Sequence, residues 1–128
     1  MVKPLLRRGF TLIELLVVMA IIAVLLTVAL PRYFGSVDHS KEVALKQSLS
    51  VMRDAIDKYY ADRGQYPERL EELAEKRYIR SIPVDPITES AATWTIVPVP
   101  PGAAKGVVYD IRSGAEGNSE DGKPYAEL

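Results

Sequence analysis

The sequence contains no cysteine, so neither a disulfide framework nor a thiolate metal site is open to it. Export is not thereby excluded, but a small exported domain without bridges needs another fastening, such as a calcium ion or neighbouring subunits. There is one histidine, His39. It sits between Asp38 and Ser40 on the polar side of a predicted helix and reads as a solvated side chain. No Ser/His/Asp or Cys/His set, histidine cluster or phosphate-cradling glycine loop can be assembled, and this points away from an enzyme. Positive charge is not in surplus either. Sixteen Lys and Arg stand against 17 Asp and Glu, for a formal charge of −1, which gives no electrostatic reason to expect nucleic-acid binding.

Charge is scarcest near the start. After Lys3, Arg7 and Arg8, the only charge before Arg32 is Glu14. From Phe10 to Leu30 the chain reads FTLIELLVVMAIIAVLLTVAL, with no Gly or Pro. As an α-helix this run is about 31 Å long at ~1.5 Å per residue, enough to cross a hydrocarbon layer of ~30 Å. It is apolar on every face, so packing on a soluble core by one stripe is not expected. The basic residues before it hold the N-terminus on the cytoplasmic side of a membrane.

Three readings compete for the segment. A secretory signal has an apolar stretch of only ~7–15 residues and a small-residue cleavage site, which Val28-Ala29-Leu30-Pro31 matches poorly. A signal anchor fits the length and basic flank but leaves Glu14 unexplained, and a carboxylate within a membrane helix costs ~2.5–3.5 kcal/mol near its middle. The third reading gives that carboxylate a purpose. Arg7-Arg8-Gly9-Phe10-Thr11-Leu12-Ile13-Glu14 resembles the prepilin cleavage and methylation motif of type IV pilins and type II secretion pseudopilins.

The resemblance implies that a prepilin peptidase cuts after Gly9, that Phe10 becomes an N-methylated N-terminus, and that Glu14 is the assembly glutamate. Glycine suits the position before the cut because it brings no side chain into a tight cleft. Cleavage exposes an ammonium on Phe10, which the Glu14 carboxylate of an adjacent subunit can pair with in low dielectric. An intrasubunit contact between Phe10 and Glu14 is also sterically open, since i and i+4 share a helix face. Loss of residues 1–9 removes three cations and takes the formal charge from −1 to −4. Pro31 follows the apolar run and predicts a helix kink; the resemblance adds that the turns before it can extend in a filament.

Beyond Pro31 the pattern becomes amphipathic. Val37, Ala44, Leu45, Leu49, Met52, Ile56, Tyr59 and Tyr60 recur at spacings of mostly three and four, with charged residues between them, which predicts one buried stripe and one wet face. Gly64 is placed to cap the helix. The expected element is therefore one long, kinked helix from Phe10 to about Arg63. A second helix is expected from Pro67, with Glu68, Glu71 and Glu72 in its early turns and Leu70 and Leu73 facing inward. Strands are expected from Trp94 to Val99 and from Gly106 to Arg112, joined through Pro98, Pro100, Pro101 and Gly102 as a hairpin with an irregular edge. The fold class is α+β: a long N-terminal helix on a small head with a short helix and a small antiparallel β-sheet. The expected division is a leader at 1–9, a membrane or filament-core helix at 10–31, and a periplasmic head at 32–128.

In the head, Gly64-x-Tyr66-Pro67, Leu70 and Leu73, Tyr78-Ile79, Pro83-x-Asp85-Pro86 and Tyr109-Asp110-Ile111-Arg112-Ser113-Gly114 occur in an order similar to the major pseudopilin of type II secretion. One by one they read as turn chemistry and core filling. That resemblance implies a calcium-binding loop near the C-terminal end. Asp121 is the first side-chain candidate, with Glu116, Asn118 and Glu120 beside it. A solvated polar loop fits the same segment, and no cofactor is required.

The function so implied is structural: a subunit processed by prepilin peptidase and polymerised with copies of itself in a helical filament that supports protein export. The implied partners are an inner-membrane assembly platform, minor pseudopilins, and membrane lipid before assembly. Its place is the bacterial inner membrane, then a periplasmic or cell-envelope filament. A surface type IV pilin serving adhesion, motility or DNA uptake shares the same N-terminal logic.

Overall fold

The structure, a computed structural model, describes residues 8–128. Lys3 and Arg7 of the basic leader lie outside the described residues. Helix α1 is assigned without interruption over Leu12–Arg63 and contains Pro31. Two short strands, a short second helix and a 3-10 turn follow: α2 (Glu72–Glu75), β1 (Thr95–Pro98), β2 (Val108–Arg112) and the turn Tyr125–Glu127. The chain divides into two compact units, Met1–Val37 and Asp38–Leu128. The expected α+β class is borne out.

In the first unit the helix begins at Leu12, two residues later than expected, because Thr11 caps it. The amide of Leu15 donates to the Thr11 carbonyl at 3.1 Å, which is the first bond of the helical ladder. The large apolar side chains from Phe10 to Leu30 are exposed throughout, between 43% at Ile22 and 85% at Phe10. This stretch is long and apolar enough to cross a membrane. Pro31 has no N–H to give to the carbonyl of Thr27 four residues back.

In the second unit, the rest of α1 supplies half the core. Leu45, Leu49, Met52, Ala55, Ile56 and Tyr59 are buried and meet Leu70, Leu73, Trp94, Val108 and Ile111. Two predicted stripe residues fall elsewhere: Ala44 and Tyr60 are exposed. The true stripe runs through 42, 45, 49, 52, 56 and 59, so position 44 turns outward, and Tyr60 instead stacks on Tyr66 with ring centroids 4.5 Å apart. The predicted stop holds. Gly64, at φ +70°, donates its amide to the Tyr60 carbonyl at 2.8 Å, the left-handed cap that only glycine adopts without strain.

The helix expected from Pro67 is instead confined to Glu72–Glu75. Tertiary hydrogen bonds hold the chain before it away from helical form. The Tyr66 amide donates to the Lys105 carbonyl at 2.9 Å, and the Pro67 carbonyl accepts from the amides of Val107 and Val108 at 3.0 and 2.8 Å. Leu70 and Leu73 nevertheless face inward as expected. The close approach of the two segments explains Gly106, at φ +113°, where a Cβ would stand 2.2 Å from the Tyr66 carbonyl oxygen.

β1 and β2 pair antiparallel, with Thr95 opposite Arg112 and Ile96 opposite Ile111. The register shifts between Val97 and Pro98, leaving Tyr109 as an extra residue on β2. This is the irregular edge expected from the prolines, since Pro98 offers no amide to the ladder. Arg53 of α1 ties the sheet to the helix, donating to Asp110 Oδ1 at 2.9 Å, the Ile111 carbonyl at 2.9 Å and the Leu128 carbonyl at 3.0 Å. Asp85 is fully buried. It accepts from the amide of Ile87 at 2.8 Å and from the hydroxyl of Ser113, joining the loop after α2 to the segment after β2.

Candidate functional site

The residues proposed for processing lie where the chain is not yet helical. Arg8, Gly9 and Phe10 precede the cap and are exposed, so the Gly9–Phe10 peptide bond is open to an approaching enzyme. A Cβ built on Gly9 meets no atom of the described residues within 4 Å, and its φ is not in the left-handed region. The described residues thus make no demand for glycine there. Arg8, Gly9, Phe10 and Glu14 line a shallow recess of about 260 Å³.

Glu14 is the third residue of α1. Its amide donates to Thr11 Oγ1 at 3.1 Å, and its Oε2 accepts from the Thr11 amide at 3.4 Å. Glu14 forms no ion pair among the described residues. The structure therefore brings Gly9, Phe10 and Glu14 to one end of the apolar helix, together with Thr11. The sequence reading named Thr11 only as part of the motif. Its spacing to Glu14, Thr-x-x-Glu, is the signal that would have marked both as a cap.

The C-terminal loop carries the four residues expected as calcium ligands. Glu116, Asn118, Glu120 and Asp121 are all exposed, and among the described residues no three His, Cys, Asp or Glu side chains gather to hold a metal. Glu120 Oε2 lies 3.0 Å from His39 Nδ1. The loop closes on its own backbone, through Ser119 to Lys123 at 2.8 Å, Gly122 to Ser119 at 2.9 Å and Tyr125 to Gly117 at 3.1 Å. Among the described residues these side chains are not gathered into a cage; calcium takes six to eight oxygens, backbone carbonyls included.

Glu42 of α1 fastens this loop. It is only 5% exposed and accepts from the Glu120 amide at 3.1 Å through one oxygen, while Lys46 Nζ stands 3.3 Å from the other. The hydrogen bond from Glu120 is the main reason its pKa falls below the ordinary 4.5, opposed by desolvation and aided by Lys46. Glu42 is one of the charged residues that fall between the expected stripe positions, yet it lies three residues before Leu45 and seven before Leu49, on the buried stripe; that spacing is the signal in the sequence. His39, read as merely solvated, remains exposed but reaches the same loop.

Residues 6–30 match the family described as the prokaryotic N-terminal methylation motif. The chain is 33% identical to the fimbrial protein EcpC of Eikenella corrodens, over 79% of this chain and 69% of that protein. It is 31% identical to the type II secretion system core protein G of Pseudomonas aeruginosa, over 62% of this chain and 68% of that protein. It is 33% identical to the type IV major pilin protein PilA of Myxococcus xanthus, over 52% of this chain and 30% of that protein. No solved structure matches it significantly.

Proposed function

Because this chain belongs to the type IV pilin-like family, whose members are structural rather than enzymatic proteins, we propose that it is the repeating subunit of a type II secretion pseudopilus. The observation that supports this reading is that four core protein G relatives are matched over 66–69% of their length, against 30–38% for three major pilin proteins; the fimbrial protein EcpC, matched over 69% of its length, stands on the other side.

The precursor enters the inner membrane with its basic leader on the cytoplasmic side. A prepilin peptidase adds water across the Gly9–Phe10 bond, leaving a carboxylate on Gly9 and an ammonium on Phe10, and the new terminus is then methylated. The need for glycine at position 9 belongs to the peptidase's cleft, since nothing among the described residues crowds that position. Residues 10–31 remain in lipid until an assembly platform lifts the subunit out. The Phe10 ammonium then pairs with Glu14 of a neighbouring copy. Pro31, which weakens the helical ladder at Thr27, lets the turns before it extend. The head faces the periplasm.

A second reading, a surface type IV pilus subunit, is favoured by the match to a fimbrial protein over 79% of this chain. Deletion in the native host separates the two. Exoproteins trapped in the periplasm with surface fibres intact support the secretion reading; lost fibres with normal secretion overturn it in favour of the pilus. The intact mass of the membrane protein tests the processing step. Loss of nine residues with gain of one methyl group is expected, and a mass that retains Met1 overturns it.

A further inference from the structure

We infer that Thr11 is a positioning residue for Glu14: the two form a capping box that holds the carboxylate at the N-terminal rim of the apolar helix, before cleavage and after it. The inference rests on the assembly role proposed above for Glu14.

The geometry has three parts. Thr11 stands outside the helix while its carbonyl accepts the first ladder bond, from Leu15, at 3.1 Å. Its hydroxyl accepts from the Glu14 amide at 3.1 Å. The Glu14 carboxylate reaches back to the Thr11 amide at 3.4 Å. This is the reciprocal arrangement of Thr at the N-cap and Glu three residues on, and it satisfies two backbone donors that a helix start leaves unmatched. Where lipid replaces water, such a donor left open has no solvent partner, so the box matters more here than on a soluble helix.

Every atom of the box lies on the C-terminal side of the Gly9–Phe10 bond, so hydrolysis leaves it intact. Side chains on a helix lean toward its N-terminus, and the cap fixes that lean, aiming the carboxylate toward the end where the Phe10 ammonium appears. Oε2 is engaged by Thr11, and Oε1 has no hydrogen bond among the described residues. One oxygen is thus held while the other is left to receive a cation.

The test uses the full chain, co-expressed with its peptidase and assembly machinery. Thr11→Val removes the hydroxyl at nearly constant shape, Thr11→Ser retains it, and Glu14→Gln retains the cap, since Gln also closes a capping box, while removing the charge. Processing is read by gel shift, assembly by cross-linking, and the cap by amide hydrogen exchange of residues 11–14 in the cleaved protein in nanodiscs. Thr11→Val is expected to be cleaved normally, to exchange roughly fivefold faster at these amides, and to assemble poorly, with Thr11→Ser restoring both readouts. Glu14→Gln is expected to keep slow exchange yet fail to assemble. Wild-type exchange or wild-type assembly in Thr11→Val overturns the inference, as does failure of Thr11→Ser to rescue. Normal assembly of Glu14→Gln overturns the role of the charge itself, and the exchange data then still report separately on the cap.

Discussion

Glu42 is a carboxylate set into an apolar stripe, and its hydration is replaced by the Glu120 amide and the Lys46 ammonium. A folded-state pKa below the ordinary value means that the stability it contributes is present above that value and is lost as pH falls through the folded pKa. Thermal melts from pH about 7 down to 3 should therefore show a stability loss at the acid end that is weaker in Glu42→Gln, with the variant less stable at neutral pH. Equal acid sensitivity in both proteins refutes this role. Gly106 makes a sterically different demand. Its left-handed φ and the 2.2 Å approach to the Tyr66 carbonyl predict that Gly106→Ala costs about 3 kcal/mol or more in urea unfolding. Gly102, at φ +78° with open space around it, supplies the control: its alanine variant should lose only about 1–2 kcal/mol. If the two variants lose the same amount, the carbonyl contact is not what selects glycine. Neither Glu42 nor Gly106 showed its role to composition or motif reading, because each depends on a partner some 40 or more positions away in the chain.

Helix α2 shows how an element can be correctly expected and wrongly bounded. The inward residues of the expected helix, Leu70 and Leu73, follow from periodicity, whereas the late start of α2 follows from the hydrogen bonds of Tyr66 and Pro67 to the segment 105–108. No local pattern encodes those bonds. The helix ends in a six-residue closure in which Tyr78 donates to the Leu73 carbonyl at 2.8 Å and Arg77 donates to Ala74 at 3.2 Å. Arg77 occupies the left-handed position of that closure, at φ 62°, where glycine is the usual residue. Arg77→Gly should therefore raise stability by about 1 kcal/mol, read as a higher midpoint in urea. A lower midpoint shows that contacts of the arginine outweigh the backbone strain. The strands tell a similar story: their existence is legible from Trp94 to Val99 and Gly106 to Arg112, but they are confined to Thr95–Pro98 and Val108–Arg112, the second starting late where Lys105 and Val107 bond to Tyr66 and Pro67 instead.

At the scale of the molecule, the sequence disclosed most where chemistry is local. The apolar run, the Gly9-Phe10 junction and Glu14 are contiguous, so they were readable before any fold was known. The fastening of the C-terminal loop was not, since it joins His39 and Glu42 to Glu120 across about 80 positions. Residues 38–128 form a compact unit with its own core, so a chain starting at Gly35 should be soluble and melt in one cooperative step by circular dichroism. Glu42 and the loop's own backbone hydrogen bonds fasten it, and a chelator should leave that melting temperature unchanged. A large drop on chelation, or a melt without cooperativity, counts against this account. The single tryptophan adds a practical consequence. Trp94 is 8% exposed, and its indole N–H donates to the Pro83 carbonyl at 2.8 Å. The head thus carries one tryptophan, shielded from solvent, whose emission can be excited apart from that of the tyrosines. An emission maximum that stays blue from detergent micelle to assembled fibre would mean that the head travels between them without opening.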